Sequence, residues 1–183
     1  MLDIYLQATW ETFYMVLVST VIAGASGIPL GIVLVITEPG GLWAHPLFNK
    51  IIGLVINIMR SIPFIILLVI LLPLTKVIVG TRIGTEAAIV PLTIAAIPFV
   101  ARLVESSLKE IDRGVIEAVQ AMGATPMQII RKVLIPEAIP GILLGLIITF
   151  VTLIGYSSMA GAIGGGGLGD LAIREGYQRN NMD

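Results

Sequence analysis

From Thr12 to Thr37 the chain runs for 26 residues without a single charge. Wound as a helix at about 1.5 Å per residue, such a stretch exceeds the roughly 30 Å hydrocarbon core of a bilayer. It is too long for a signal peptide, and Asp3 and Glu11 precede it where a signal peptide has basic residues. The rest of the chain agrees. Apolar residues make up 56% and charged ones 13%, with a mean hydropathy of +0.99, where a soluble domain has about 45–50% and about 25%. Too little polar surface exists to cover a water-soluble globule, so the chain belongs in a membrane.

The sequence predicts one all-α transmembrane domain over residues 1–183, with four spans at about 12–37, 51–72, 84–100 and 138–156. The Thr37-Glu38-Pro39-Gly40-Gly41 turn cluster ends the first. Arg60 and Pro63 interrupt the second, and Pro73 closes it. Pro91 and Pro98 fall inside the third, which reads as a bent helix whose freed carbonyls are satisfied by neighbours. Six glycines in the nine residues 161–169 end the fourth, because that density does not sustain a helix. Ser19, Ala23, Gly27 and Gly31 recur every four residues along one face of the first span, either as a seam for close helix packing or as ordinary membrane glycine content.

Arg102, Lys109, Arg113, Arg131 and Lys132, five of the eleven basic residues, lie in the polar stretch 101–136. Lys and Arg counts set orientation, so this loop is predicted cytoplasmic, the N-terminus outside and the glycine-rich segment outside. Outer segments carry Lys76, Arg82, Arg174 and Arg179. The net charge of −1 gives no footprint for nucleic acid. With no cysteine and a single histidine, His45, no metal site is predicted. Gly164, Gly166 and Gly169 spell a dinucleotide-type G-x-G-x-x-G, but a membrane span precedes them in place of a strand. No phosphate-binding G-x-x-x-x-G-K-[ST] occurs, and no acidic pair lies within a span.

The loop itself reads as folded. Asp112 caps a helix whose stripe is Val115, Ile116, Val119 and Met122. Gly123 takes the left-handed C-terminal position. Thr125 and Pro126 start a second short helix along Met127, Ile130 and Leu134, and Pro136 stops it. These apolar stripes either meet a partner or lie on the protein's own helices.

Glu117-Ala118-Val119, Gly123 six residues after the Glu, and Val133, Ile135 and Pro136 beyond resemble the EAA loop of ABC importer permeases, with Val119 in place of the second Ala and Val133 in place of the usual Ile. Arg60-Ser61-Ile62-Pro63-Phe64 resembles the second-span motif of amino-acid importer permeases, and Ala87-Ala88-Ile89-Val90-Pro91, Ala121-Met122-Gly123-Ala124-Thr125-Pro126-Met127 and Gly155-Tyr156-Ser157-Ser158-Met159 extend the resemblance to the methionine importer permeases within that family. The resemblance implies a type I permease bundle in the cell inner membrane, made of two copies of the chain. It implies cytoplasmic ATPase subunits that hold ATP and Mg, an outer substrate-binding protein, and no cofactor or catalysis on this chain. It also implies a fifth span after the glycine-rich segment, which the chain lacks, so a C-terminal truncation is expected. Glu117, Ala118, Val119, Met122, Gly123, Ala124, Met127 and Pro136 are then the ATPase-coupling residues.

Two groups are candidates for the substrate pathway. Arg60 is the charge nearest the bilayer interior, where it contacts substrate, pairs with Glu86 or Glu105, or snorkels. Pro63 beside it kinks the helix, as a gate or as a tolerated break. The hydroxyls of Tyr156, Ser157 and Ser158 and the Met159 thioether either line the passage or, for the serines, bond back to their own helix. The function expected is ATP-driven import of methionine or a related amino acid by alternating access. The alternatives are a membrane scaffold that recruits a cytoplasmic partner and a secondary amino-acid carrier.

Overall fold

The computed structural model describes residues 2–178. Residues 179–183, Arg179 among them, lie outside the described residues. In chain order the helices are α1 (Leu2–Thr37), α2 (Pro46–Ser61), α3 (Phe64–Val79), α4 (Thr85–Lys109), α5 (Arg113–Ala121), α6 (Pro126–Ile129), α7 (Ile135–Gly161) and α8 (Gly167–Leu171). Two wide π-helical turns, Ile130–Leu134 and Ala172–Gln178, follow α6 and α8. Among the described residues α1, α4 and the continuous run Pro126–Gly161 are each long and apolar enough to cross a membrane, and the bent pair α2–α3 makes a fourth span if taken together.

Packing centres on α4, which lies between glycine seams of two neighbours. Ser19, Ala23, Gly27 and Gly31 of α1 are all buried. A Cβ at Gly27 falls 2.7 Å from Val100 Cβ, and one at Gly31 falls 2.7 Å from both Val104 Cβ and the Ala101 carbonyl. Gly141 and Gly145 of α7 meet Ser107 and Leu103 of α4 in the same way, at 2.6 and 3.1 Å. Helices in lipid gain no hydrophobic drive from association, so backbones brought this close supply the contact. Met15, Leu92, Val100, Val104 and Leu153 fill the core between them.

Five boundaries differ from the sequence reading, one of them the end of α7, which runs to Gly161 and not to about 156. First, α1 begins at Leu2, ahead of residue 12: the charge-free count finds the apolar part of a helix, not its start, and Glu11 is accommodated by bonds from Gln7 Nε2 and the Gly167 N–H, each at 2.9 Å. Second, residues 51–72 are not one kinked helix. The chain breaks at Ile62–Pro63 and α3 leaves α2 at 106°. Ile62 is extended (φ −81°, ψ 123°), the conformation favoured for a residue before proline. Pro73 sits inside α3, which ends at Gly80 in a left-handed conformation. Third, α4 continues through both buried prolines to Lys109, so the polar loop starts nine residues later than 101. Fourth, Pro136 does not stop a helix. The Ile135 N–H bonds the Ile130 carbonyl five residues back, and this widened turn carries the path into α7 past a proline that has no N–H to offer.

The glycines of 161–169 serve close approach as well as turning. A Cβ on Gly161 falls 2.3 Å from the Asp170 nitrogen, and one on Gly169 falls 2.6 Å from the Ser158 backbone. The segment folds flat over the end of α7. It is tied down by Gly167 N–H to Glu11, by Leu168 N–H to Thr12 Oγ1 at 2.9 Å, and by Gly84 N–H to the Gly164 carbonyl at 2.8 Å.

The glycine seams yield the first prediction. Gly31→Val forces α1 away from α4 and is expected to lower stability by about 1–3 kcal/mol, the scale of overpacking. Gly155→Ala, with open space around its Cβ, is expected to be neutral. Thermal unfolding of the detergent-solubilised protein measures both.

Candidate functional site

At the end of the bundle where α4 stops, the chain builds a compact corner. Asp112 caps α5 by accepting from the Gly114 N–H at 2.7 Å. The helix closes with a Schellman pair: Gly123 N–H to the Gln120 carbonyl at 2.9 Å and Ala124 N–H to the Val119 carbonyl at 3.2 Å. This needs the positive φ of +84° at Gly123. Thr125 then opens α6 with a reciprocal capping box: its own N–H donates to Gln128 Oε1 at 2.8 Å, and the Gln128 N–H donates to Thr125 Oγ1. Asp112, Gly123, Thr125 and Pro126 take the local roles read from the sequence; the Gln128 half of the box was missed, though a Thr three residues before a Gln carries that signal.

The apolar stripe of α5 is split. Ile116 and Val119 pack against the core together with Ala124 and Val133. Val115 is 45% exposed, Met122 78% and Met127 50%, and Glu117, Ala118 and Gly123 lie on the exposed side. Self-packing therefore accounts for half of the stripe. The other half, a small-residue and methionine face flanked by Glu117, has no cover in a single chain.

A second site forms at the α2–α3 break. A cavity of about 250 Å³ opens there, lined by Arg60 from α2, Phe64 from α3, Phe99 from α4 and Thr149, Thr152 and Tyr156 from α7. Its aromatic wall is a stacked pair, Phe64 on Tyr156, with centroids 4.5 Å apart and planes 10° apart. Thr149 and Thr152 donate their hydroxyl protons to the Gly145 and Ile148 carbonyls, each at 2.8 Å, leaving only acceptor lone pairs for a solute. Arg60 is exposed and has no ion pair among the described residues. Glu105 is engaged by Arg102 and Lys109, and Glu86 sits in the first turn of α4.

Of the pathway residues read from the sequence, the cavity gathers Arg60 and Tyr156, with Pro63 at the break that forms it. Ser157 is buried and bonds the Ile154 carbonyl at 2.7 Å. Ser158 reaches the same carbonyl at 3.4 Å. Met159 is 45% exposed and lies outside the cavity. Phe99, Thr149 and Thr152 were not singled out; two threonines three apart in a charge-free helix were the available signal. Among the described residues no three His, Asp or Glu side chains group as metal ligands.

Comparison with known proteins follows the same lines. The family model for the inner membrane component of binding-protein-dependent transport systems matches residues 27–182. The probable D-methionine transport system permease protein MetI of Vibrio cholerae is 59% identical over 180 residues, covering 98% of this chain and 80% of the relative. The D-methionine transport system permease protein MetI of Escherichia coli is 52% identical over 161 residues, 88% of this chain and 74% of the relative. The fold superposes on a chain of the MetNI methionine ABC transporter, solved in inward-facing conformations, with a TM-score of 0.94 at 52% identity, over 97% of this chain and 82% of that one. An amino acid ABC transporter solved with histidines shares the fold at a TM-score of 0.79 and 20% identity.

The stacked wall can be tested alone. Tyr156→Phe keeps the ring pair and is expected to leave stability unchanged. Tyr156→Leu removes it and is expected to lose about 0.5–1.5 kcal/mol beyond the area term, read as a lower unfolding midpoint in detergent.

Proposed function

The chain belongs to the family of binding-protein-dependent transport system inner membrane components, and from that membership we propose that it is the permease of an ATP-driven importer of methionine or a closely related amino acid. It is a multi-pass protein of the inner membrane that works as two copies with separate ATPase subunits and an outer binding protein. The observation that carries the reading is the uncovered face of the α5–α6 corner. Glu117, Ala118, Val119, Met122, Gly123, Ala124 and Met127 belong to a turn held rigid by its own hydrogen bonds, on the end of a membrane bundle. Pro136 contributes by letting the path from this corner enter α7 without a stop.

In this mechanism ATP binding and hydrolysis occur on the partner. Closure of the ATPase pair moves the docked corner, and the spans rock between inward and outward openings. The cavity at the α2–α3 break is the passage. Arg60 meets the carboxylate of the solute, Thr149 and Thr152 accept from its ammonium, and Phe64 and Tyr156 face its apolar side chain. Ser157, Ser158 and Met159 shape the end of α7 beneath the glycine-rich cover. The N-terminus lies outside and the α5–α6 corner inside.

Two measurements test this. With no native cysteine, Met122→Cys at an exposed position reports orientation. Labelling by an impermeant maleimide is expected only after the membrane is opened, and labelling in intact cells inverts the topology. A Cβ at Gly123 meets no atom within 4 Å, so the expected effect of Gly123→Val is on backbone conformation, at about 1–2 kcal/mol for a left-handed non-glycine residue. ATPase co-purification and uptake are expected to fall together while the amount in the membrane stays normal. Gly123→Asn, which tolerates that conformation, is expected to retain both. Normal uptake by Gly123→Val removes the corner from the coupling path.

A further inference from the structure

The helix that presents Arg60 is held to the bundle by little packing. Among the described residues Ile56 is the one buried residue of α2, clustered with Leu34 of α1 and Ala101 of α4. Polar contacts hold it at two places: near its start Asn49 Nδ2 donates to the Leu34 carbonyl of α1 at 2.6 Å and to Thr37 Oγ1 at 3.1 Å, and nearer the break Arg102 reaches it from α4. The Nη2 of Arg102 donates to the Gly53 carbonyl at 3.1 Å and to Asn57 Oδ1 at 2.9 Å. Its Nη1 donates to Glu105. The other Glu105 oxygen accepts from Lys109 Nζ at 2.8 Å, and Lys109 also reaches Glu38, just past the end of α1, at 2.9 Å.

This chain of contacts has a definite place in the fold. Lys109 ends α4 three residues before Asp112, the cap of α5. Asn57 lies three residues before Arg60, so the two are neighbours on the surface of α2. The Arg102 and Glu105 side chains are only 23% and 12% exposed, which shields charge-assisted bonds from competition by water. One guanidinium therefore joins the corner-bearing helix to the helix that ends at the 106° break.

We propose that Arg102 is a positioning residue for transport: its hold on Gly53 and Asn57 makes α2 follow the α4–α5 corner, so that displacement of the corner reaches the Ile62–Pro63 break and moves Arg60 at the cavity. The proposal rests on the permease reading above. A lysine does not replace this guanidinium, because an ammonium lacks the planar fork that serves Glu105 and α2 at once.

The test uses the complete transporter, with its ATPase and binding protein, in proteoliposomes. ATPase co-purification, ATP turnover and uptake per ATP hydrolysed are measured for Arg102→Gln, Arg102→Lys, Asn57→Ala and the Arg102→Gln/Asn57→Ala double variant. Arg102→Gln is expected to lower uptake per ATP about tenfold, the scale of one charge-assisted hydrogen bond, with turnover and co-purification little changed. Asn57→Ala is expected to act in the same direction, and the double variant to be no worse than Arg102→Gln. In the Arg102→Lys background, Asn57→Asp is expected to restore much of the lost uptake by offering the ammonium a charged partner. Uptake and turnover falling by one common factor means that Arg102 only maintains the fold, and overturns the proposal. So does unchanged uptake per ATP, or a double variant whose losses multiply. A wild-type complex that hydrolyses ATP but moves no amino acid overturns the permease reading itself, and this proposal with it.

Discussion

Hydrocarbon offers no water to a stray N–H or C=O, so each backbone polar group that enters it needs a partner within the protein. That constraint makes the chain helical and decides where it departs from the helix. Pro91 and Pro98 lie buried within α4, which continues through both. Ile62, before Pro63, leaves the helical region, the direction in which a following proline biases it, and the break there borders a cavity. At Pro136 the chain widens by one residue per turn and continues. Each proline meets the same rule, and its surroundings determine whether the outcome is continuity, a widened turn or a break.

A second consequence is an uneven distribution of contact. The α1–α4–α7 slab is joined by backbones that approach as closely as glycine allows, and a seam of that kind does not slide without losing its contacts at once. In contrast, α2 has one buried side chain and α5 has none. The rigid slab and the two lightly held helices share the same polypeptide, and both light helices attach at the end of the slab where α4 stops. Elements that must shift are drawn from those with few buried contacts.

Much of this was legible in the sequence. Charge-free runs marked the long apolar helices α1, α4 and α7, the four-residue spacing of Ser19 to Gly31 located the seam, and Asp112, Gly123 and Thr125-Pro126 located the corner. Local chemistry dictates all of these: a capping side chain or a left-handed glycine acts within a few residues of itself. The failures share the opposite property. Whether Pro63 bends or breaks its helix, and whether Pro136 ends or only widens one, depends on what lies opposite. The cavity escaped for the same reason. Phe99, Thr149 and Thr152 come from two helices about fifty residues apart in sequence, and nothing in either segment alone announces a shared wall. Ser157, an attractive hydroxyl in the sequence, proved to be spent on its own helix.

The corner shows why a short element can carry a large motion. Its shape is fixed locally, by the Asp112 cap, the Schellman bonds and the capping box, so its two helices keep their angle whatever the bundle does. Its attachment to the bundle is separate, through Ile116 and Val119 on one side and through the end of α4 on the other. A push on the exposed face therefore moves the corner as a unit and does not unwind it. The polar chain from Lys109 through Glu105 to Arg102 lies at the point where that unit joins α4. In the proposed coupling, displacement applied there reaches the middle of α2 through the Arg102 bonds to Gly53 and Asn57, while Asn49 anchors the start of the same helix to α1.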